Sequence, residues 1–254
     1  MAVAASSRPR ISVDGKFFRL GEKKFHVKGL AYGPFAPNAA GLPYAPPEET
    51  AVDFARIREA NANLLRVYHP PAKWFLDLAA EHKLKVLVDI PWNKHLCFLD
   101  SRDDQARARE AVRRAVYACA RHPSVFGFSV ANEIPPDIVR WSGARAVADF
   151  IDELVHVARE VDPECLCTFT NYPPTEFLRP ESLDFVCFVH RIRATGENDA
   201  LRIKVADERL RNIVRMQFAI DLLFAHTAGN ELGDLRTKVK DEDFLVGHYG
   251  TLNE

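Results

Sequence analysis

Val125-Phe-Gly-Phe-Ser-Val-Ala-Asn-Glu133 is the stretch of sequence that decides the fold of this chain. It is a nearly continuous apolar run that ends in an amide and a carboxylate, and Ile134-Pro135-Pro136 follows directly. Such a run is typical of a strand whose two faces are both covered, as in a parallel sheet. The stretch therefore predicts a parallel strand that delivers Asn132 and Glu133 at its C-terminal end.

The same alternation of strand-like and helix-like patterns extends in both directions, from about residue 11 to residue 190. A hairpin is predicted around residues 17–21, and strands are predicted over residues 24–32, 63–68, 85–90, 125–130, 166–170 and 183–189. Helical patterns separate them over residues 49–62, 74–82, 105–121 and 139–161. Strands that alternate with helices indicate parallel βαβ units. We therefore predict an α/β fold of the (β/α)8 TIM-barrel type.

The length of 254 residues suits one large barrel domain, which we assign to residues 11–190. Residues 1–10 are interpreted as a disordered leader, because their small residues precede their charges, the reverse of a secretory signal. After residue 190 the alternation of strand-like and helix-like patterns stops. Residues 191–254 are predicted to form a divergent, mostly helical segment, with a long helix over 200–228 and a short strand at 244–249. The barrel is therefore expected to be incomplete at its C-terminal end.

Composition limits the classes of partner and compartment. The net charge of −1 argues against nucleic acid or an anionic membrane surface as a partner. No apolar run reaches the roughly 18 residues that span a bilayer. No secretory signal is recognised, so a cytoplasmic location is expected. The five cysteines include no Cys-x-x-Cys pair, and we interpret them as buried free thiols rather than metal ligands. No metal and no cofactor are predicted, and the oligomeric state is left open.

Polar and aromatic residues accumulate just after the predicted strands. In parallel barrels the active site lies at the C-terminal ends of the strands. A set rich in Arg, Asn, Glu, Tyr, Trp and His suits a sugar, since aromatic rings stack on its faces and polar groups bind its hydroxyls. A carbohydrate substrate or ligand is therefore expected at a site drawn from Tyr32, Arg66, Tyr68, His69, Asp89, Trp92, His95, Asn132, Glu133, Asn171, Tyr172 and His190.

Three of these residues are candidate catalytic groups. Glu133 is placed to donate a proton to a leaving oxygen, although a structural glutamate that pairs with an arginine or caps the following turn is the alternative. Asn132 either binds a substrate hydroxyl, orients Glu133 or caps the loop. Arg66 lies inside a strand, where an unpaired guanidinium is costly, so we expect a carboxylate partner such as Asp89. A purely structural ion pair and a supporting catalytic role both remain open for Arg66.

Five further residues are candidate substrate-binding groups, and four of them have a plain alternative. Trp92 is either a stacking platform for the sugar or a core tryptophan, and Tyr172 either lines the pocket or packs. The two histidines are either ligands of the substrate or solvated loop residues. The full set of candidates is Tyr32, His69, Trp92, His95 and Tyr172.

These motifs make residues 11–189 resemble the clan A glycoside hydrolases, which are retaining (β/α)8 enzymes. Three segments, residues 63–71, 88–92 and 122–133, are similar to segments of the family 2 β-galactosidase and β-glucuronidase group. They are also similar to barrel domains of bacterial proteins that carry glycosyltransferase modules. The resemblance implies that Glu133 is the general acid/base, that Asn132 contacts the sugar and that Arg66 supports the nucleophile.

The chain departs from the clan where the second carboxylate is expected. The clan places its nucleophilic Glu after strand seven, preceded by a strand-six Asn-x-Tyr, where this chain has Phe188-Val-His-Arg191. The sequence indicates no nucleophile among the later carboxylates, which are Glu197, Asp199, Asp207, Glu208, Asp221, Glu231, Asp234, Asp241, Glu242, Asp243 and Glu254.

Two function classes therefore stay open. The first is a glycoside hydrolase with a retaining mechanism. The alternative is a catalytically impaired carbohydrate-binding barrel or a truncated fragment, such as the accessory domain of a glycosyltransferase-containing protein. The loss of βα rhythm near residue 190 is what a truncated or frame-shifted gene would produce.

Overall fold

Two sheets organise the part of the chain that the computed structural model describes, namely residues 9–35, 37, 41, 43–119, 121–189 and 215–218. The first is a small antiparallel sheet of β1 (Ile11–Asp14), β2 (Phe17–Leu20) and β3 (Lys23–Phe25). The second is a seven-stranded sheet in which every pair of neighbours is parallel. Its strands are β4 (Gly29–Ala31), β5 (Leu64–Val67), β6 (Lys85–Asp89), β7 (Val125–Asn132), β8 (Cys167–Asn171), β9 (Val186–Val189) and β10 (Arg215–Phe218).

The parallel strands follow one another across the sheet in chain order, from β4 at one edge to β10 at the other. The sheet curls so that these two edge strands come close to each other. The described strands thus form a curled parallel half-barrel, which confirms the predicted α/β class and parallel sheet. Closure into a complete (β/α)8 barrel stays a prediction.

Helices connect most of the parallel strands. They are α1 (Pro47–Glu59), α2 (Lys73–Glu81), α3 (Arg102–Cys119), α4 (Pro136–Ser142) and α5 (Ala144–Val161). The single helix predicted over residues 139–161 is wrong, because Gly143 adopts a left-handed φ of +86° and separates α4 from α5. Between β8 and β9 the chain makes only a short 3-10 turn, Pro173–Thr175.

Two other predicted elements are corrected. The strand predicted over residues 24–32 is two strands, since β3 pairs antiparallel with β2 whereas β4 pairs parallel with β5. The helix predicted over residues 200–228 is wrong at Arg215–Phe218, which pair parallel with β9. An open sheet edge offers unpaired backbone groups, and pairing with it overrides a local helical pattern. The rest of the segment 190–254, including the strand predicted at 244–249, lies outside the described residues.

An aromatic side chain of the small antiparallel sheet packs against the N-terminal half of the parallel strands. Phe18 of β2 is fully buried, and its ring meets those of Phe126 and Phe185 edge to face at 4.9 and 5.2 Å. Leu64 of β5 and Leu87 of β6 belong to the same apolar cluster. Since this end of the half-barrel is filled with hydrocarbon, polar side chains inside the sheet collect at the opposite, C-terminal end.

Gly127 marks the closest approach of β7 to the chain that leads into β8. A Cβ atom at this position would lie 2.6 Å from the carbonyl oxygen of Leu166. The same carbonyl accepts a hydrogen bond from the backbone N–H of Phe128 at 2.8 Å, so it cannot move freely. Glycine is therefore required at this position because a larger side chain does not fit, and not because of the backbone conformation.

Gly127→Ala should consequently destabilise the protein. Forcing β7 and β8 apart is an overpacking change, for which a loss of about 1–3 kcal/mol in the free energy of unfolding is expected. Urea denaturation followed by circular dichroism measures it. An unchanged urea midpoint would show that the two strands adjust to a methyl group at no cost.

Four of the cysteines confirm the predicted burial of free thiols: Cys119, Cys165, Cys167 and Cys187. Burial raises the pKa of the Cys119 and Cys187 thiols to about 12, so both remain protonated near neutral pH. The Sγ atoms of Cys165 and Cys167 lie 3.5 Å apart. Among the helices within the described ranges, none combines the length and apolarity needed to cross a bilayer.

Candidate active site

A buried ion pair lies at the centre of the candidate site. Arg66 on β5 and Asp89 at the end of β6 are only 2% and 3% exposed. The Nε and Nη2 atoms of Arg66 donate to Asp89 Oδ2 at 3.0 and 2.6 Å. The expected carboxylate partner of Arg66 is therefore confirmed, and it is the residue that the sequence indicated.

The same guanidinium also holds Asn132. Its Nη2 donates to Asn132 Oδ1 at 2.8 Å, so the side chains of β5, β6 and β7 are joined across the sheet. The Tyr68 ring adds a cation–π contact, with the guanidinium carbon 4.9 Å from its centroid. Burial by itself opposes the charge on Arg66, but the neighbouring Asp89 carboxylate outweighs it, and the net pKa of Arg66 is raised. Arg66 is thus a permanent cation with a fixed orientation.

Two hydroxyl groups, on the neighbouring strands β7 and β8, lie beside the Asp89 carboxylate. Thr170 Oγ1 lies 3.5 Å from Asp89 Oδ1 and 2.7 Å from Ser129 Oγ. Ser129 and Thr170 are both fully buried. Both oxygens of the Asp89 carboxylate therefore have a hydrogen-bond donor nearby, and this carboxylate has a structural role.

Glu133 follows β7 with an unusual backbone conformation. Its φ is +44°, in the left-handed region that non-glycine residues seldom occupy. Its N–H donates to the carbonyl oxygen of Thr170 at 2.8 Å, which fixes the backbone against β8. Its half-buried carboxylate makes no hydrogen bond or ion pair with any residue in the described ranges. A strained residue with an unengaged carboxylate at a strand end is the arrangement expected of a reactive group.

Asn132 presents a donor beside this carboxylate. Because its Oδ1 accepts from Arg66, its amide NH2 is the group left for a ligand. That NH2 has no protein partner in the part of the chain that the structure describes. Of the roles that the sequence left open, this geometry favours contact with a substrate hydroxyl over loop capping.

Tyr172 is on the loop that follows β8, the strand beside the one that precedes Glu133. Burial raises the pKa of the Tyr172 phenol, and the Glu133 and Asp137 carboxylates add to the effect. The loop is held by Asn171, whose amide donates to the carbonyl oxygen of Thr175 at 2.8 Å and whose Oδ1 accepts from the Tyr172 N–H at 2.8 Å. Tyr172 thus stands at the same end of the sheet as Glu133, whereas the Asn171 side chain holds the loop.

His69 is on the loop that follows β5. Its backbone carbonyl accepts a hydrogen bond from the buried Tyr44 hydroxyl. Burial lowers the pKa of the half-buried imidazole, and the Asp89 carboxylate partly opposes that shift. His69 is therefore within electrostatic reach of the ion pair, as a mainly neutral imidazole near pH 7.

Three candidates are not brought to this group. The Tyr32 hydroxyl donates to Asp53 of α1 at 2.9 Å, so the side chain packs toward the helix layer. The Trp92 Nε1 donates to the Val130 carbonyl at 2.8 Å, and its ring packs edge to face on Phe98, which favours the core alternative. His95 is exposed on the loop after β6. His190 lies outside the described residues.

Lys94 is a half-buried residue of the loop after β6 that the sequence did not indicate as a candidate. The Asp89 and Glu133 carboxylates partly oppose the effect of burial on its pKa. Burial is the main cause that lowers the pKa of Lys94. The only signal in the sequence is its position on the loop after β6, next to His95. Within the described ranges, no group of three or more His, Cys, Asp or Glu side chains is arranged to hold a metal ion.

Comparison with known proteins places this geometry in context. No family model matches the chain. A β-glucuronidase of Paenibacillus borealis is 26% identical over an alignment of 188 residues, and the match covers 70% of this chain and 30% of that protein. The chain therefore spans under a third of the length of this relative.

Solved structures agree on the fold. A Ruminococcus gnavus β-glucuronidase bound to a C6-substituted uronic isofagomine matches with a TM-score of 0.60 at 17% identity, covering 72% of this chain and 31% of that one. The Bifidobacterium dentium β-glucuronidase complexed with coumarin-3-O-glucuronide matches with a TM-score of 0.59 at 21% identity, covering 72% and 30%. The chain is thus similar to β-glucuronidases in sequence and shares the fold of part of these proteins, which relates it to the glycoside hydrolases.

Proposed function

We propose that this chain hydrolyses β-glycosidic bonds with retention of configuration, as a divergent member of the family 2 β-glucuronidase group of clan A. The observation that carries the proposal is the unengaged carboxylate of Glu133, held at the C-terminal end of a parallel sheet beside Asn132 and the Arg66–Asp89 pair. Related β-glucuronidase structures hold coumarin-3-O-glucuronide and D-glucuronic acid, so a β-glucuronide is the first substrate to test.

Glu133 acts twice in this mechanism. In the first step its carboxyl group donates a proton to the glycosidic oxygen while the bond to the anomeric carbon breaks and a second carboxylate attacks that carbon. In the second step the Glu133 carboxylate takes a proton from a water molecule, which displaces the enzyme carboxylate from the sugar. A group with these two duties needs freedom from strong structural partners, which is what its surroundings provide.

In this mechanism Asn132 binds the substrate and Arg66 positions Asn132. The Asn132 amide donates to a hydroxyl of the sugar next to the cleaved bond. Arg66 fixes the amide by its 2.8 Å hydrogen bond and is itself fixed by Asp89, so it is a positioning residue. The proposal assigns binding of the sugar also to the Tyr172 hydroxyl and the His69 imidazole, which are on the loops after β8 and β5.

The second carboxylate is expected from residues beyond 189. Retaining enzymes need it about 5–5.5 Å from the acid/base. Asp89 is unsuited, because both of its oxygens are engaged by Arg66 and Thr170. Asp221 is the first carboxylate in the sequence after β10, the seventh strand of the sheet. Asp221→Asn is therefore the first nucleophile variant to make.

A panel of aryl β-glycosides tests the function. The chain is incubated with the aryl β-glucuronide, β-galactoside and β-glucoside, and release of the aglycone is followed by absorbance. We expect release from at least the glucuronide, with the β-anomer of the sugar appearing first in proton NMR spectra. First appearance of the α-anomer would overturn the retaining mechanism, and the absence of any release would overturn the activity.

A further inference from the structure

The last residues of β7 break the alternation of a regular strand. Successive side chains of a strand point to opposite faces, so side chains three residues apart lie on opposite sides of a sheet. Ser129 and Asn132 are three residues apart, yet both contact the same polar group. Ser129 Oγ lies 2.7 Å from Thr170 Oγ1, which in turn lies 3.5 Å from Asp89 Oδ1. Asn132 Oδ1 accepts a hydrogen bond from Arg66, the partner of Asp89, at 2.8 Å.

The pairing of β7 with β8 locates the irregularity. From Ser129 to Ala131 the pairing advances two residues along β7 but only one along β8. Val130 is thus the extra residue of a β-bulge. Bulges change the direction of the side chains that follow, and they are frequent beside active sites. Here the residues that follow are Asn132 and Glu133.

The Ser129 hydroxyl spans this bulge. It donates to the Ala131 carbonyl oxygen at 2.7 Å and accepts from the Thr170 N–H at 3.2 Å. One of these backbone groups belongs to the bulged strand and the other to the neighbouring strand. Ser129 is fully buried, so water cannot supply the two hydrogen bonds in its place. The hydroxyl therefore stabilises the bulged arrangement.

The backbone of Thr170 connects the Ser129 hydroxyl to Glu133. Its N–H donates to Ser129 Oγ, and its carbonyl oxygen accepts from the Glu133 N–H at 2.8 Å. Glu133 has a φ of +44°, and a residue in such a conformation persists only where its surroundings fix it. The Ser129 hydroxyl is therefore one of the groups that fix the direction of the Glu133 side chain. Asn132, in contrast, has a side-chain partner of its own in Arg66.

We propose that Ser129 is a positioning residue for the acid/base: its hydroxyl holds the bulge at Val130 and thereby directs the Glu133 carboxylate toward the bound sugar. Ser129 acts through the Thr170 backbone and touches no substrate. The inference rests on the proposed function, since it assigns Ser129 a part in the proton transfers of Glu133.

Ser129→Ala removes the hydroxyl and little else. We expect kcat and kcat/KM for the aryl β-glucuronide to fall together by about 100-fold, the effect of misplacing a reacting group by about 1 Å. KM should stay nearly constant, because the Asn132 amide keeps its partner Arg66. With an aryl leaving group of low pKa, azide should restore turnover, because it replaces the water that Glu133 activates. Azide would not correct a general loss of folded protein, and a Ser129→Ala variant as active as the wild type overturns the inference.

Thr168→Val is the matched control. Thr168 pairs with Ser129 across the two strands, is equally buried, and donates its hydroxyl to the Phe185 carbonyl at 2.7 Å. The substitution removes a hydrogen bond of the same kind away from the bulge. The thermal unfolding midpoint should therefore fall about as far as in Ser129→Ala, while kcat/KM stays nearly unchanged. An equal loss of activity in the two variants would mean that any buried hydroxyl of the sheet has this effect, and would overturn the inference.

Amide hydrogen exchange, followed by NMR, tests the bulge without any substrate. The N–H groups of Thr170 and Glu133 should exchange about 10-fold faster in Ser129→Ala than in the wild type or in Thr168→Val. Faster exchange supports the positioning of Glu133 by Ser129 even if no glycoside is cleaved, in which case only the proposed activity fails. Unchanged exchange overturns the inference and leaves the activity standing. If Ser129→Ala does not fold, Ser129→Cys is measured instead with the same expectations, because a thiol fills the space but is a weak hydrogen-bonding group.

Discussion

Replacing Glu133 by glutamine is expected to lower kcat/KM for aryl β-glycosides by about 10²–10⁴-fold, the range that general acid–base catalysis contributes. The amide of glutamine keeps the shape of the side chain but neither donates nor accepts the required proton. The loss should be smallest in the first step for aryl leaving groups of low pKa, because these depart with little protonation. Rates for a series of such leaving groups measure that dependence.

Azide distinguishes a proton-transfer role from a structural one. A small anionic nucleophile needs no general base, so it should restore turnover of Glu133→Gln and yield the β-glycosyl azide. A structural glutamate would not respond in this way. Glu176→Gln is the control, since Glu176 is exposed on the loop after β8 at the same end of the sheet. Equal activity of Glu133→Gln and the wild type would remove Glu133 from the mechanism.

Replacing Arg66 by methionine is expected to destabilise the protein by about 3–5 kcal/mol, because it leaves the Asp89 carboxylate buried without its counter-charge. Asp89 is 3% exposed, so water cannot take the place of the guanidinium. Activity should fall as well, since Asn132 loses the donor that fixes its amide. Chemical denaturation gives the stability, and kcat/KM of the folded variant gives the second effect.

The double variant Arg66→Met with Asp89→Leu shows whether the cost comes from the unpaired charge. Removing both partners takes away the buried carboxylate, so the double variant should be more stable than Arg66→Met alone. Arg145→Met is the surface control: Arg145 pairs with Asp149 on α5, its side chain is 79% exposed, and its loss should leave the unfolding midpoint nearly unchanged. A double variant no more stable than Arg66→Met would mean that shape, and not charge, sets the penalty.

Local pattern was sufficient for the elements that are buried on both faces. The apolar runs that became β5, β6, β7 and β8 are recognisable without neighbours, since a strand covered on both sides reads as a continuous hydrophobic segment. The sequence pattern predicted the wrong secondary structure where a single glycine or the pairing with a neighbouring strand decides it. Gly143 breaks one amphipathic run into two helices, and Arg215–Phe218 joins β9 in spite of a helical pattern.

By itself the sequence determined which residues can stand at the C-terminal ends of the strands, because strand ends are set by local composition. It therefore identified Glu133, Asn132, Arg66 and its partner Asp89. Tertiary structure decided which of the loop residues face the site. Lys94 is half-buried while His95 is exposed, and the Trp92 indole donates to the Val130 carbonyl. The physical reason is that a loop side chain has no fixed periodicity, and its direction depends on contacts with residues distant in the chain.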